Sequence, residues 1–461
     1  MMQVAAQSEL DAFIAQYPDI QMLEVLMPDM NGIFRCKRIH RSEFQALFSG
    51  SLKSVASQPL VTTMGEYSDK VDPQLVAGEP DKKLLPIAGT LAPVPWLASP
   101  TGQVLASLGE LDGGPAWVDP RNVLARVLQR FADSGLTPVV ATELEFYLVA
   151  PGDGVVPVPL LGRIPGTGMQ QQGIQYAMAE DMWEHDAFLN DVRIACELQG
   201  VPLTIIHSEF APGQWEINTH HVRDPLMACD HALLLKRIVK GVALQHGISA
   251  TFMAKPFAAS AGCGMHIHTS LYDAAGANVF SAGEAEQAPA ISDTLRHAIG
   301  GMAQTMPAAM AIFAPNANSY RRFVAGTYVP MSPCWGYNHR DVSLRIPVSS
   351  DDNRRVEHRV AGADANPYLV VAAILAGMHY GIEQGCEPGP MVPENTELPE
   401  QAAVLPNRWE SALDEFARSA VLSEYLGSSY CSVFQTMRRA ECDAFHATIS
   451  NLDYQWYLRA V

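Results

Sequence analysis

The sequence predicts an α+β protein in which a small, sheet-rich N-terminal domain precedes a much larger domain of mixed helices and strands. Short β-type runs dominate before residue 110, and a clear helix start follows the glycines and proline at 113–115. Beyond that start, helix-like and strand-like segments mix. At roughly 150 residues per domain, the length allows three domains or one large domain with a smaller companion. We therefore divide the 461 residues into domains 1–115 and 116–461.

The composition excludes several classes of protein. With 49 acidic and 31 basic side chains, the formal charge is −18, which argues against a nucleic-acid binder because phosphate contacts need clustered Lys and Arg. A hydrophobic fraction of 48% beside 17% charged residues is typical of globular proteins and not of disordered ones. The longest uncharged stretch, 84–109, is broken by four prolines, so we expect no membrane segment.

The cysteines and the first residues indicate a reducing compartment. The eight cysteines are scattered with no C-x-x-C pair, so we expect free thiols, without disulfides or a zinc ribbon. The N-terminal residues carry Glu9 and Asp11 and lack the basic and apolar regions of a secretory signal. The sequence therefore predicts a cytoplasmic protein.

Local signals place the main elements in order. The β-type runs 22–27 and 32–39 flank a turn at 29–32. A helix begins with Asp119 as N-cap and Pro120 at its first position, and Gly135 ends it. Residues 177–199 show an amphipathic helical pattern, and the apolar run after Asn366 predicts a buried helix.

The first chemically informative segment is the strand-like run 141–149. Its alternation places Glu143 and Glu145 on one face, while Leu144 and Phe146 point the other way. A half-exposed strand with a solvated acidic face explains this pair equally well. Two carboxylates about 7 Å apart are also suited to ligate neighbouring cations.

The second segment, 207–218, predicts a hairpin with Pro212 and Gly213 at the centre of its turn. If the hairpin is symmetric about that turn, Glu209 lies directly opposite Glu216. Like charges placed opposite each other destabilise a sheet unless a cation neutralises them. A plain surface hairpin remains the alternative.

Two further segments complete the set of candidate ligands. In 261–271, His266 and His268 share a strand face beside glycines that permit close backbone approach. In 354–359, Glu357 alternates with Arg355 and Arg359, for which a salt-bridged exposed strand is the alternative reading.

If these segments meet, their carboxylates need cations. At an effective dielectric constant of 20, each pair of like charges about 5 Å apart costs roughly 3 kcal/mol. Oxygen-rich ligation with one imidazole favours Mg²⁺ or Mn²⁺ over zinc. The segment 321–359 opposes the global charge because seven arginines stand there against four acids. Planar guanidinium groups bind phosphate and carboxylate, so this segment indicates an anionic substrate beside the metals, although a positive face paired with the acidic remainder also explains it.

Six segments together resemble the glutamine synthetase superfamily in their order and spacing. They are ELEFYL, HSEFAPGQWEIN, TFMAKPF with GCGMHIHTSL, NSYRRFVAG, NHRDVSLRIP and RRVEHRVAGADANPYL. The resemblance implies the glutamine synthetase fold, in which a small β-grasp domain precedes a large catalytic domain with a curved antiparallel sheet. It also implies stacked rings, as in a dodecamer, in which one subunit's N-terminal domain completes the neighbour's site.

The resemblance also implies roles for individual residues. Two or three Mg²⁺ or Mn²⁺ ions per subunit would be held by Glu145, Glu209 and Glu216 at the first site and by Glu143, His266 and Glu357 at the second. The nucleotide would contact Glu143, His268, Ser270, Arg340, Arg345 and Arg355. Glutamate and the second substrate would contact Gly262, His266, Arg322, Tyr328 and Arg359. The catalytic arginines would be Arg322, Arg340 and Arg355.

The implied reaction is the ATP-dependent activation of the glutamate γ-carboxylate, followed by attack of a nitrogen nucleophile. Glutamine synthetases that use ammonia carry an acidic latch in the N-terminal domain, whereas the corresponding region 47–57 contains no acid. They also carry a Glu where this sequence has Tyr328. Without those acids, a small hydrated ammonium ion has no anions to offset its desolvation. The region around Tyr328 instead resembles the gamma-glutamylpolyamine (gamma-glutamylputrescine) synthetase branch, which predicts a polyamine or monoamine substrate. An ammonia-using glutamine synthetase and a non-catalytic structural relative remain the alternatives.

Overall fold

In the part of the chain that the structure describes, strands form two sheets, and helices pack around them. The computed structural model describes residues 3–152, 154, 156–171, 176–283, 291–398 and 404–461. No helix within these ranges combines the length and the apolar character needed to cross a bilayer.

The first sheet has six strands and belongs to the N-terminal part of the chain. Its strand order is β2-β1-β6-β4-β3, with β5 paired to β6, and the central β1 and β6 run parallel. This is the small sheet-rich unit that the sequence predicts. Its elements are α1 (Gln7–Gln16), β1 (Met22–Pro28), β2 (Phe34–His40), a 3-10 turn (Arg41–Glu43), α2 (Phe44–Phe48), β3 (Lys53–Val55), α3 (Pro73–Val76), β4 (Asp81–Pro86), β5 (Ala92–Pro93) and β6 (Thr101–Gly109).

The second sheet has eight strands and is curled into a half-barrel. Its order is β12 (Trp335–Tyr337), β13 (Leu344–Ile346), β14 (Val356–His358), β11 (Met265–Asp273), β7 (Leu136–Val149), β9 (Gln214–Thr219) and β8 (Leu203–Ser208), with β10 (Ser249–Thr251) paired to β7. Its strand pairs are antiparallel except for β12 with β13. Its elements begin with α4 (Pro120–Asp133), β7 (Leu136–Val149), α5 (Ala179–Glu184), α6 (Asp186–Leu198), β8 (Leu203–Ser208), β9 (Gln214–Thr219), α7 (Pro225–Gln245), β10 (Ser249–Thr251) and β11 (Met265–Asp273).

The remaining elements close the sheet and form the C-terminal helical layer. They are α8 (Asp293–Phe313), a 3-10 turn (Ser319–Arg322), β12 (Trp335–Tyr337), β13 (Leu344–Ile346), a 3-10 turn (Asp351–Asn353), β14 (Val356–His358), α9 (Pro367–Gln384), α10 (Trp409–Arg418), α11 (Ala420–Leu426), α12 (Ser428–Ala447) and α13 (Asn451–Tyr457).

The predicted helix ends are largely confirmed. Asp119 caps α4 by accepting a 2.9 Å hydrogen bond from the Arg121 amide, and Pro120 occupies the first helical position. Asn366 caps α9, which is buried along most of its length as predicted. The prediction of one helix over 177–199 is wrong in one respect. The chain forms two helices, α5 and α6, because the backbone leaves helical geometry at His185.

A close helix pair supports the core behind the second sheet. Helices α8 and α9 cross where Gly301 faces Gly377 and Gly381, and a Cβ on Gly301 would collide with the backbone of both. The absence of side chains at this crossing lets the two backbones touch. Helices α4 and α7 pack against β7, so the strand that carries Glu143 and Glu145 is held from behind.

A buried lysine in α7 makes stability depend on pH. Lys236 is 9% exposed and donates a 3.0 Å hydrogen bond to the Ala365 carbonyl oxygen. Burial, reinforced by Lys240 and opposed by Asp364, lowers the pKa of Lys236 from 10.5 to about 7. The unfolded chain therefore binds one more proton than the folded chain between these two values, and stability rises with pH across that window, by at most about 1.4 kcal/mol per pH unit.

We expect Lys236→Met to remove this dependence. The free energy of unfolding of both proteins is measured with urea from pH 7 to pH 10. The value for wild type minus the value for the variant should increase as pH rises. Lys53→Met, at an exposed strand position, is the matched control and should run parallel to wild type. Parallel profiles for Lys236→Met as well would contradict the buried-lysine account.

Candidate active site

One face of the second sheet gathers the acidic and imidazole side chains that the sequence singles out. Glu143 on β7 lies opposite His266 on β11, and Glu145 lies opposite Glu216 on β9. On the other side of β11, His268 lies opposite Glu357 on β14. Because residues two apart on a strand share a face, this register brings the four segments together. The sequence alone left it as an assumption that these segments meet, and the strand pairing brings them together.

His266 lies at the centre of this face. Its Nδ1 is 3.2 Å from a Glu143 oxygen and 3.7 Å from a Glu357 oxygen, and its Nε2 is 3.9 Å from a Glu145 oxygen. The imidazole is buried. One ring therefore stands within ion-pairing distance of three carboxylates.

His268 extends the face towards a cavity. Its Nε2 is 2.8 Å from the other Glu143 oxygen, and its Nδ1 is 3.3 Å from Arg355 Nε. The cavity encloses about 410 Å³ and is lined by Glu143, His268, Ser270 and Arg355, together with residues of β7, β8 and β9. Four of the six residues predicted to contact the nucleotide thus border one cavity.

The hairpin of β8 and β9 shows a register that differs from the prediction. Pro212 and Gly213 do occupy the turn, since the Gln214 amide donates to the Ala211 carbonyl oxygen. The loop, however, also includes Phe210 and Ala211, because the ladder ends where Ser208 pairs with Trp215 and Glu209 with Gln214, and this shifts the register by two residues. The strand partner of Glu209 is therefore Gln214, whose carbonyl oxygen accepts from the Glu209 amide. The predicted direct opposition of Glu209 and Glu216 is wrong, although the two side chains still share a face.

His207 takes the place opposite Glu216 that was predicted for Glu209. Its Nε2 is 3.2 Å from a Glu216 oxygen, and its Nδ1 is 3.8 Å from a Glu209 oxygen. Sequence reasoning missed this residue. The signal was present, because His207 lies two residues before Glu209 and so shares its strand face.

Glu357 is held between two arginines in the interior. Its side chain is only 1% exposed, one oxygen is 2.8 Å from Arg345 Nη1, and the other is paired with Arg359 Nη1. The alternative reading of an exposed salt-bridged strand is therefore wrong for Glu357. A buried carboxylate costs free energy unless it is paired, and here two guanidinium groups provide the pairing.

The electrostatic environment differs from one carboxylate to another. Burial opposes ionisation of Glu143, but hydrogen bonds from His266 and His268 hold its pKa well below the ordinary value. Burial likewise opposes ionisation of Glu357, yet Arg359 and the two histidines lower its pKa to about 2. At the hairpin the balance is reversed, because burial together with Glu145 and Glu216 raises the pKa of Glu209 to about 7. Among these three carboxylates, the charge of Glu209 is therefore the least compensated by its neighbours.

The donor set suits hard divalent cations. Three overlapping groups each offer one ligand atom per residue, with those atoms within 4.8 Å of one another: Glu143, Glu216 and His266; Glu143, His268 and Glu357; His207, Glu209 and Glu216. Carboxylate oxygens with one imidazole fit Mg²⁺ and Mn²⁺. The residues present therefore fit the predicted metals.

Two glycines bring Arg322 beside this face. A Cβ on Gly262 would lie 2.6 Å from Arg322 Cγ, and a Cβ on Gly264 would lie 2.7 Å from Arg322 Nη2 and 3.0 Å from His266 Nε2. The arginine side chain thus occupies the space that the glycines leave free. Its Nη1 donates to the Val360 carbonyl oxygen at 2.7 Å, while its buried Nε has no hydrogen-bond partner among the described residues.

The remaining predicted residues are less tightly gathered. Arg359 is buried, and its Nε donates to the Arg340 carbonyl oxygen at 3.1 Å. The Arg340 side chain itself is exposed, and so is Arg321. Tyr328 is 63% exposed and has a left-handed backbone with φ of 56°. The run of seven arginines is therefore not one cluster, since some members line the sheet face and others point to solvent.

Further side chains of this face were not singled out from the sequence. Gln214 Nε2 lies 3.4 Å from a Glu145 oxygen and 3.0 Å from the Gly262 carbonyl oxygen. Asn218, His220 and His221 line the cavity. The alternation of Gln214, Glu216 and Asn218 along β9 was the signal that could have revealed Gln214 and Asn218. His220 and His221 follow the end of β9, where strand periodicity gives no information.

Comparison with known proteins identifies the family. The domain described as "Glutamine synthetase, catalytic domain" matches residues 117–457. The chain belongs to the glutamine synthetase family. Enzymes of this family use ATP and divalent metals, which agrees with the donor set on the sheet face. The predicted family and α+β fold are confirmed.

Individual relatives in the glutamine synthetase family include ligases that act on amines. The chain is 39% identical to the gamma-glutamylputrescine synthetase PuuA of Escherichia coli (strain K12), over 98% of this chain and 94% of that protein. It is 33% identical to a glutamate–isopropylamine ligase of Pseudomonas sp, over 83% of this chain and 82% of that protein. The solved structure of a GmaS/ADP complex matches with a TM-score of 0.82 at 26% identity, covering 97% of this chain and 99% of that one.

Proposed function

We propose that the protein is an ATP-dependent ligase that joins the γ-carboxylate of glutamate to a polyamine or a monoamine through a γ-glutamyl phosphate intermediate. The observation that carries this proposal is the single sheet face on which metal-type carboxylate and histidine groups adjoin buried arginines and a cavity of about 410 Å³. Such a face suits the handling of two anions, a triphosphate and a carboxylate, side by side. The amine-ligase relatives supply the class of the second substrate.

The metal ligands fall into two sets in this proposal. Glu145, Glu209 and Glu216 would hold one Mg²⁺ or Mn²⁺, and Glu143, His266 and Glu357 would hold a second. The groups of mutually close ligand atoms combine this face differently, because none contains Glu145 and two of them add His207 or His268. Bound cations neutralise charge on the phosphoryl oxygens during transfer. His266, a member of the second set, also lies 3.9 Å from Glu145 of the first set, so the two sets are adjacent.

In this proposal, two buried arginines bind glutamate and the cavity binds the nucleotide. Arg322 and Arg359 bind the carboxylates of glutamate beside Gly262. The two residues are adjacent, because Arg322 Nη2 lies 3.4 Å from the Arg359 carbonyl oxygen. Glu143, His268, Ser270 and Arg355 border the nucleotide in the cavity. Arg345 has a buried Nε without a hydrogen-bond partner among the described residues, so it retains a donor for an anionic oxygen. Arg340 is exposed and reaches the phosphates only by moving its side chain.

The reaction then runs in two steps. An oxygen of the glutamate γ-carboxylate attacks the terminal phosphorus of ATP, and the bond to ADP breaks. The neutral amine nitrogen then attacks the γ-carbonyl carbon, the bond to phosphate breaks, and the nitrogen loses one proton to solvent or to the departing phosphate. Arginine and metal charges placed where negative charge develops provide most of the catalysis in such transfers. As in the stacked rings that the family resemblance implies, we propose a homo-oligomer in which the N-terminal sheet of one subunit borders the site of the next.

An isotope experiment tests this function. Glutamate carrying ¹⁸O in its γ-carboxylate is incubated with ATP, Mg²⁺ and putrescine, and the products are analysed by mass spectrometry. We expect γ-glutamylputrescine, ADP and phosphate with one ¹⁸O atom per molecule, because the attacking carboxylate oxygen leaves with the phosphate. Unlabelled phosphate, or no ADP with any amine, would refute the proposal, and the second result would favour the non-catalytic relative.

A further inference from the structure

A second group of metal-type ligands lies away from the sheet face, in the C-terminal helical layer. Glu410 belongs to the first turn of α10, whereas Cys442 and His446 lie on α12. The His446 Nε2 and a Glu410 oxygen are 2.8 Å apart, and the Cys442 Sγ completes a set whose ligand atoms lie within 4.8 Å of one another. None of these residues belongs to the active site described above.

The spacing of the α12 residues explains how two of the ligands converge. Cys442 and His446 are four positions apart, so their side chains share one face of the helix, one turn from each other. That face looks towards α10, with which α12 packs. The sulfur side chain is 1% exposed, whereas the side chains of His446 and Glu410 are 54% and 48% exposed. The group is therefore closed on the protein side and open to solvent on the other, so an ion can enter without unfolding.

The distances agree with a tetrahedral ion after small side-chain rotations. Zinc bonds of about 2.0–2.3 Å to nitrogen, oxygen and sulfur place neighbouring ligand atoms roughly 3.3–3.6 Å apart. The His446–Glu410 separation of 2.8 Å must open by less than about 1 Å, and the other separations, which are at most 4.8 Å, must close by at most about 1.5 Å. Both exposed side chains are free to rotate.

The surroundings supply a further polar group. The hydroxyl of Tyr320 is buried and has no hydrogen-bond partner among the described residues. Burial raises the pKa of the Tyr320 hydroxyl, and Asp364, Cys442 and Glu410 add to this effect. The charged neighbours are mixed in sign: Arg439, which pairs with Asp414 of α10, together with Asp443 and Glu441.

We propose that Glu410, Cys442 and His446 bind one Zn²⁺ ion, with water as the fourth ligand, and that this ion links α10 to α12. Sulfur and imidazole ligands select zinc over the hard cations that suit the active site. Burial, with Glu410 adding to it, raises the pKa of the Cys442 thiol to about 11, so the thiol is protonated at neutral pH. Binding therefore breaks the S–H bond, forms the zinc–sulfur bond and releases one proton to solvent.

Cobalt serves as the spectroscopic probe for this site. The full-length protein is kept in excess Mg²⁺ so that the oxygen-rich active site is occupied, and Co²⁺ is then titrated in. We expect a near-ultraviolet sulfur-to-cobalt charge-transfer band that saturates at one equivalent per chain and disappears when Zn²⁺ is added. Zn²⁺ should also raise the thermal unfolding midpoint, because an ion that binds only the folded state stabilises it.

Variants on the same helix decide the assignment. Cys442→Ser should abolish the band, and His446→Gln, at an exposed position, should weaken cobalt binding at least tenfold without affecting folding. Cys431→Ser is the matched control, because Cys431 is also buried on α12 and its thiol donates a hydrogen bond to the Leu422 carbonyl oxygen. A band that survives Cys442→Ser, a band equally weakened by Cys431→Ser, or no band in wild type would overturn the proposal. The cobalt band does not depend on amine ligation. A negative result would therefore refute the zinc site and leave the proposed function unaffected.

Discussion

Replacing Glu357 by Gln is expected to lower kcat/KM for ligation about a thousandfold while the protein stays folded. The carboxylate is buried between Arg345 and Arg359 and lies 3.7 Å from His266. Glutamine keeps the shape but removes the negative charge, so both guanidinium groups lose their counter-charge and the second metal set loses an anionic ligand. Removing one charged partner from a preorganised site costs roughly 10²–10³ in rate, and here one change disturbs two functions.

The matched control is Glu415→Gln, the same substitution at a half-exposed position of α10, which should retain wild-type activity. Circular dichroism and size-exclusion chromatography verify the fold, because an unpaired buried charge also destabilises a protein. If Glu357→Gln does not fold, Glu143→Gln tests the same cluster from β7. A folded Glu357→Gln enzyme with activity within tenfold of wild type would show that this face is not the catalytic centre.

Local rules predicted much of the fold and the composition of the site. Alternation along a strand placed Glu143 with Glu145 and His266 with His268 on common faces, because the two-residue period is a property of any extended chain. The ends of α4 and α9 were predictable because capping residues act on amides only a few positions away. The resemblance to the glutamine synthetase family then indicated which segments belong together.

Features that depend on the pairing of distant segments were not predictable. The two extra residues Phe210 and Ala211 shift the hairpin ladder, and no local signal reveals on which side of a turn a strand accommodates extra residues. His207 was overlooked although its two-residue spacing from Glu209 placed both on one strand face. Only its position opposite Glu216 depends on the shifted register. Glu357 looked exposed from its arginine-rich neighbourhood, yet β14 is an interior strand, flanked by β11 and β13.

The second large effect concerns the choice of amine. We expect putrescine to be preferred over ammonium by about a hundredfold in kcat/KM. Each buried CH₂ group contributes about 0.8 kcal/mol, so the four CH₂ groups of putrescine supply roughly 3 kcal/mol, which corresponds to about two orders of magnitude. Ammonium gains nothing from such burial, and the region 47–57 and position 328 offer no acid to offset its desolvation.

A variant at position 328 probes the origin of this preference. Tyr328→Glu introduces a carboxylate on an exposed loop residue, so it should improve kcat/KM for ammonium while weakening that for putrescine. Tyr328→Phe is the control, since it keeps the ring and adds no charge, and it should leave the preference close to wild type. Equal effects of the two substitutions would place the origin of the preference elsewhere in the site.

The most direct test of the central claim, that this chain is a glutamate–amine ligase, is a competition in one vessel. The purified protein receives glutamate, ATP, Mg²⁺ and equal concentrations of ammonium and putrescine, and the two amide products are quantified by mass spectrometry at low conversion. The ratio of products then equals the ratio of the two kcat/KM values. We predict γ-glutamylputrescine in about hundredfold excess over glutamine, and an excess of glutamine would contradict the account and identify an ammonia-using enzyme.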